Sequence, residues 1–269
     1  MEKAVILAAG MGRRMRHDDD GANLTSDQAS VADSGVKALI PIDRPFLDYV
    51  LGALADAGYR RVCLVIGPDH DALRDYYGRQ VHYSRLQVEF AVQPQPLGTA
   101  NALAAAEDFA GDDPFVMLNS DNYYPVAALK ALRACDGPAL AAFEREGMLA
   151  HSNIPAERLV KFAVIESGED GSLRRIVEKP EPAVLERLPA PLGVSMNCWR
   201  FDRHIFTACS AIGLSDRGEY ELPDAVQHAR DHLGVVFRVL LQRETVLDLS
   251  SREDIAPVSR LLAGTPVEL

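Results

Sequence analysis

The first fifteen residues constrain the fold more than any other part of the chain. Val5-Ile6-Leu7-Ala8-Ala9 is a short apolar run that ends in Gly10-Met11-Gly12, followed at once by Arg13 and Arg14. Such a run reads as a buried strand. Glycines let backbone N–H groups approach an anion closely, and adjacent arginines add positive charge. A strand feeding this kind of loop is how open α/β sheets present phosphate groups beyond the carboxyl ends of their strands. Taken alone, the stretch fits equally well an ordinary strand-to-helix turn with solvated arginines.

The pattern continues in the same sense. Strand-like runs at 3–8, 61–66, 87–92 and 115–119 alternate with helical patterns near 46–57, 69–77 and 98–108. Gly58 is placed to close the first helix and Asp69 to cap the second. Alternation of this kind predicts a mainly parallel sheet with helices on both faces. The second half is more mixed. Residues 160–166 and 173–178 read as a hairpin about Glu169-Asp170-Gly171-Ser172, followed by a strand at 193–201 and helices near 203–210 and 221–232. A strand at 235–241 and a helix at 252–263 complete the chain. We expect one domain over 1–269 with a continuous core: a nucleotide-binding part at 1–135, a substrate-binding part at 136–250 and a C-terminal helix within 251–269. His17–Gly35, acidic and then small and polar, reads as a mobile surface insertion with a short helix from Thr25 or Ser26. Asp18-Asp19-Asp20 within it reads as a solvated loop.

With 269 residues, 48% of them hydrophobic, the chain can bury a sizeable core. Its net charge of −11 argues against nucleic acid or a membrane surface as partner. An anionic ligand then needs a local cluster of cations, for which Arg13, Arg14, Arg16 and Lys37 are the candidates. Cys63, Cys135, Cys198 and Cys209 lack metal-ligand spacing and read as reduced, mostly buried thiols of a cytoplasmic protein. No apolar stretch is long enough to span a bilayer. The histidines are read as carrying no zinc site, and Trp199 as a core or pocket-wall residue.

Four further stretches carry chemistry. The Gly10-x-Gly12 loop has Met15 where a dinucleotide fingerprint needs a third glycine, and it lacks the Gly-Lys-Ser/Thr ending of a P-loop. Lys37 precedes the apolar Ala38-Leu-Ile40 and is either a solvated strand end or a phosphate-neutralising cation. Gln93 closes a strand before Pro94, where an amide can read a base edge; Gly98 opens the next helix with room for a planar ring. Asp121 and Asp248 each end a short apolar run. Each alone is most simply a helix cap, but together they make a credible Mg²⁺ site.

In combination, the series Leu7-Ala-Ala-Gly-Met-Gly-Arg-Arg-Met15, Lys37, Gln93-Pro-x-Pro-x-Gly-x-Ala100, Asp121, Val177-Glu-Lys-Pro180, Gly218-Glu219 and Asp248 resembles the sugar-1-phosphate nucleotidyltransferases. The resemblance runs from residue 3 to about residue 262. It implies a Rossmann-like, GT-A-type α/β fold and Mg²⁺-dependent transfer of a nucleotidyl group from a nucleoside triphosphate to a sugar 1-phosphate. Ala9, Gly10, Gly12, Gln93, Gly98 and Thr99 would then bind nucleotide. Arg14, Lys37 and Asp121 would be catalytic, and Asp121 and Asp248 would hold the metal. Glu178, Lys179, Asn197 and Glu219 would bind the acceptor. UTP or dTTP with a hexose 1-phosphate is favoured, glucose being the default. The alternatives are GTP with mannose 1-phosphate, a non-sugar acceptor, or a non-catalytic regulator that binds a nucleotide sugar. Oligomeric state stays open, a homo-oligomer among the options. The chain departs from the family pattern at Arg13 (usually Thr), at Ala38 (usually Pro), in the long 17–35 insertion, and at Asn197 and Trp199, which replace a Gly and a Tyr.

Overall fold

The computed structural model describes residues 1–17, 22, 24–185, 187–188 and 190–269. Eleven strands are formed among these: β1 Lys3–Leu7, β2 Arg61–Ile66, β3 Gln87–Val92, β4 Phe115–Asn119, β5 Asn122–Tyr123, β6 Ala139–Glu144, β7 Val164–Ser167, β8 Leu173–Val177, β9 Gly193–Phe201, β10 Arg238–Gln242 and β11 Leu247–Asp248. The main sheet runs β10-β6-β9-β4-β1-β2-β3, with the β7–β8 hairpin attached to β9. Strands β3, β2, β1 and β4 are parallel, whereas β9 runs antiparallel to both of its neighbours, β4 and β6. The architecture is the expected mixed, largely parallel sheet with helices on both faces.

Because the central strands are covered on both sides, successive residues enter different cores. Ala4, Ile6, Val62, Leu64, Val116 and Leu118 pack on one face with helices Phe46–Asp56 and Val126–Ala134. Val5, Cys63, Val65, Phe115 and Met117 pack on the other with Leu103, Phe206 and Val226. The single continuous core expected from the sequence is therefore two cores separated by the sheet. Strand β3 is an edge strand and only half buried.

Local signals resolve in both directions. Gly58 closes helix Phe46–Asp56 with φ +91°, its N–H donating to Ala55 O. Thr25 caps helix Ser26–Ser34 through a reciprocal pair of bonds with Gln28. Asp69, in contrast, caps nothing: the helix starts at Asp71, His70 occupies the cap position without a side-chain bond, and the last turn widens at Tyr76–Gln80. The predicted hairpin forms, but its first strand begins at Val164 because residues 156–159 are helical. Within the expected insertion, residues 18–21 and 23 lie outside the described residues, and with them Asp18-Asp19-Asp20.

Strand β9 has an irregularity that matters for the site. Against β6, Trp199 pairs with Leu140 and Ser195 with Ala142, so Ala141 faces Met196-Asn197-Cys198. Asn197 takes φ +53°, a left-handed conformation that asparagine tolerates better than most residues. Pairing of β9 with β4 ends at Met117–Trp199. Beyond that point β4 runs on to Asn119 without a β9 partner, and the Tyr124 hydroxyl stands between Asn119 N and Met196 O.

Candidate active site

The carboxyl ends of β1, β3 and β4 border a cavity of about 320 Å³. Ala9, Gly10 and Gly12 line one wall, Gln93, Gly98 and Thr99 another, and Lys37, Asp121 and Glu219 complete it. Nine residues singled out in the sequence thus converge on one space. Arg14 does not: it lies exposed on helix Arg13–Arg16 and makes no hydrogen bond or ion pair among the described residues.

Two glycines are demanded by close approach. Gly12 has φ +58°, and a Cβ there would lie 2.0 Å from Gly35 O. Arg16 locks the same contact by donating from Nη2 to Ser34 O at 2.8 Å. The loop is thereby pressed against the end of the 17–35 segment, and the chain turns directly into Lys37. Gly98 has φ +106°, but the space beside it holds Tyr220, whose carbonyl would lie 2.5 Å from an added Cβ. The Cβ side of this glycine therefore admits the backbone of the 215–221 loop, where Tyr220 N donates to Leu97 O and Tyr220 O accepts from Ala100 N.

Gln93 is buried, and its amide nitrogen donates to Gly98 O at 3.1 Å and Asn101 Oδ1 at 2.8 Å. Both donors are therefore committed, leaving the side-chain carbonyl as an acceptor for a ligand. His70, unremarked in the sequence, also lines the cavity. Its Nδ1 accepts from Gly67 N at 3.2 Å, and burial lowers its pKa, so the ring is neutral.

Lys37 opens a short 3₁₀ turn and sends its ammonium 2.7 Å from Asp121 Oδ2, with 15% of the lysine side chain exposed. It is therefore not a solvated strand end. Asp121 follows β4, and Asp248 lies in β11, which pairs antiparallel with β5 so that Asp248 faces Asn122. Leu249 N donates to Asp121 O at 2.8 Å. Neither aspartate caps a helix; this two-rung ladder brings together two carboxylates that stand far apart in sequence.

Asp248 is held from behind. Asn122 Nδ2 and Ser250 Oγ donate to its Oδ1 at 2.9 and 3.0 Å. Asn153 bridges its backbone, accepting from Asp248 N and donating to Asp248 O. Arg158 forms a two-pronged pair with Asp254 and reaches within 3.2 Å of Asp248 Oδ2. That oxygen is buried and receives no hydrogen bond. Burial first, and then the negative charge of Asp121, raise the Asp248 carboxyl to about 6, with Arg158 and Ser250 opposing. No sequence motif flags Asn153, Arg158 or Asp254.

Two nearby carboxylates that raise each other's cost of ionisation suit a hard divalent cation, although Arg158 already stands 3.2 Å from Asp248 Oδ2 and Asp121 alone of the two lines the cavity. Asp121 and Asp248 are the residues that would hold it. Among the described residues no group of three or more histidine, cysteine or acidic side chains gathers as a metal site. His228 and His232 nevertheless form an H-x-x-x-H pair on helix Leu222–Leu233, with ring centroids 4.6 Å apart, a spacing the sequence reading overlooked.

The remaining predicted residues lie across the 215–221 loop. Glu178 and Asn197 line a second cavity of about 130 Å³ with Lys161, Ser195 and Trp199. Crowding by protein raises the Glu178 carboxyl, and Arg217 opposes this. Lys179 is exposed at φ +42° and lines neither space. Tyr124, buried, ties the two regions together: its hydroxyl donates to Met196 O at 2.6 Å and accepts from Asn119 N.

A parallel sheet with a glycine loop, a lysine and paired aspartates at its carboxyl ends defines a Rossmann-like protein of the nucleotidyltransferase class. The chain belongs to the nucleotidyl transferase family, whose sequence pattern matches residues 3–248. It is 30% identical over 269 residues to a glucose-1-phosphate thymidylyltransferase of Streptomyces griseus, a match covering 98% of this chain and 66% of that protein. It is 27% identical to a UTP–glucose-1-phosphate uridylyltransferase of Haloferax volcanii, covering 83% of this chain and 82% of that one. A low-salt glycan biosynthesis nucleotidyltransferase of the same organism is 26% identical, and the match spans 56% of its length. The chain thus covers between about half and two thirds of the length of some curated relatives. In fold it matches a UDP-glucose pyrophosphorylase solved with UDP-glucose, at TM-score 0.73, 21% identity, and coverage of 99% of this chain and 100% of that one.

Proposed function

We propose that this chain transfers a nucleotidyl group from UTP or dTTP to a hexose 1-phosphate, by default glucose 1-phosphate, and releases pyrophosphate. The observation that carries this reading is the Lys37–Asp121 ion pair at the mouth of the glycine-lined cavity, with Asp248 on the adjoining rung. The printed activities of the thymidylyl- and uridylyltransferase relatives support the choice of substrates.

An oxygen of the acceptor phosphate attacks the α-phosphorus in line. The new P–O bond forms as the bond to pyrophosphate breaks. The nucleophile is already an anion, so no general base is required, and the protein's work is alignment and charge neutralisation. Backbone N–H groups of the Gly10–Gly12 loop face the phosphates. Lys37 leaves Asp121 and follows the departing charge, and Arg14 turns inward from its exposed position to join it. Gln93 offers its carbonyl to a ring N–H of uracil or thymine; adenine and cytosine have none at that edge. Glu178, Asn197 and Glu219 hold the acceptor, and Lys179 turns in from its exposed position to join them. Mg²⁺ held by Asp121 and Asp248 would supply positive charge across the phosphate oxygens.

We place the enzyme in the cytoplasm. All four cysteines are free, as a reducing compartment keeps them, and no helix among the described residues is long and apolar enough to cross a membrane.

The test is initial-rate pyrophosphate release with UTP, dTTP, GTP, CTP and ATP against glucose 1-phosphate, mannose 1-phosphate and phosphocholine, with and without Mg²⁺. UTP or dTTP with glucose 1-phosphate should be fastest. A clear preference for GTP or for phosphocholine overturns the assignment, and absence of turnover with every pair makes the protein a binder.

A further inference from the structure

His228 and His232 stand one turn apart on helix Leu222–Leu233, outside the face that buries Leu222, Ala225, Val226 and Ala229. His228 is half-buried and His232 exposed. Residues four apart on a helix are surface neighbours. The two ring centroids are 4.6 Å apart, with 42° between the planes. An imidazole nitrogen binds a transition metal at about 2.0–2.1 Å, which sets the ring centroid about 3.2 Å from the ion. Two rings held cis on one ion, at about 90°, then have centroids about 4.5 Å apart. The helix therefore holds the pair at the spacing of a chelate. Neither ring makes a hydrogen bond among the described residues, so their nitrogens are uncommitted.

The surroundings favour positive charge. Both histidines line an open hollow of about 440 Å³ between their helix and the end of helix His204–Ala211. That second helix presents its carboxyl end there through Ala211, Ile212 and Gly213, the negative pole of its dipole. Asp224, one turn before His228, and Asp231 line the same hollow. Asp231 is engaged by Gln227 and Arg230, whereas Asp224 makes no ion pair among the described residues. No third histidine, cysteine or acidic side chain completes a group with the pair among the described residues, so water fills the other coordination positions.

We propose that His228 and His232 chelate a borderline transition-metal ion of the Zn²⁺, Ni²⁺ and Cu²⁺ class, at a site separate from Asp121 and Asp248. The two cavities share no lining residue. Ligand chemistry separates them as well: carboxylates suit hard Mg²⁺, and imidazoles suit the softer ions. The bound ion clips two successive turns of helix Leu222–Leu233 and so stabilises the folded chain. The site stands whether or not the transfer reaction does.

The test is calorimetric titration of the tag-free full chain with Ni²⁺ and with Zn²⁺ at pH 7.5, with excess Mg²⁺ present to compete at the paired aspartates. The wild type should take up one equivalent saturably, and Asp248→Asn should do the same. His232→Gln replaces an exposed side chain by a good helix former, and its affinity should fall at least about tenfold. His228→Gln should lose as much, and the double variant little more than either single one, because a lone imidazole cannot chelate. Ni²⁺ should raise the thermal midpoint of the wild type and leave that of both single variants in place. The Cu²⁺-loaded protein should show two equatorial nitrogens by electron paramagnetic resonance. Absence of saturable binding overturns the proposal, as does full affinity in His232→Gln or displacement of Ni²⁺ by Mg²⁺. If His228→Gln fails to fold, His232→Gln alone decides.

Discussion

Replacing Asp248 by Asn should make the protein more stable and inactive at once. The carboxyl ordinarily titrates at 3.8 and is lifted to about 6 in the fold, by burial and by the charge of Asp121. The folded state therefore binds the proton more tightly than the unfolded chain. The penalty for the ionised form is fully present above about pH 6 and vanishes below the unfolded value near 3.8. Two decades of proton affinity correspond to about 3 kcal/mol, taken as an upper bound. Asparagine keeps an oxygen for Asn122 and Ser250, but it turns an amide nitrogen toward Arg158, whose guanidinium lies 3.2 Å from Oδ2. The net gain should be about 1–3 kcal/mol near pH 7.5 and close to zero near pH 4. Urea unfolding of both proteins at the two pH values measures it. Adding Mg²⁺ should raise the wild-type midpoint and leave that of Asp248→Asn in place. If the variant is less stable than wild type near pH 7.5, or gains equally at both pH values, the two carboxylates do not strain each other and the shared-cation reading loses its physical basis.

Three other outcomes follow from the geometry. Lys37→Met should lower kcat/KM by about 10²–10³, measured as pyrophosphate release, with partial recovery in Lys37→Arg. Gly12→Ala should destabilise by more than about 1 kcal/mol in thermal unfolding, because its Cβ meets Gly35 O at 2.0 Å, and should weaken UTP binding measured by calorimetry. Tyr124→Phe removes the donor to Met196 O and should cost about 1–3 kcal/mol in urea unfolding.

The strands that flank the main cavity were legible because β-branched apolar runs stop abruptly at glycine, proline or aspartate. Strand β6 was not. Ala139-Leu-Ala-Ala-Phe-Glu has no β-branched residue and no alternation; its conformation comes from pairing with β9 and β10. Helix Val126–Ala134 was missed as well. The main cavity could be anticipated since its residues sit at strand ends, where chain direction alone aims them. The support of Asp248 could not, because Asn153, Arg158 and Asp254 meet it through tertiary folding of segments without a motif. Gly98 shows the limit of motif reasoning: besides lining the cavity, the residue is demanded by the close approach of Tyr220, which no motif announces.

The two-residue pairing of β5 with β11 has a consequence for biosynthesis. Residues 1–119 can emerge from the ribosome and lay down four neighbouring parallel strands while position 248 is still untranslated. On the proposed reaction, a chain that stops between Asp121 and Asp248 has the glycine loop, Lys37 and the first acid but not the second. Competence on that reading waits for the segment around residue 248, and a fragment ending before it lacks the partner of strand β5 as well as the acid.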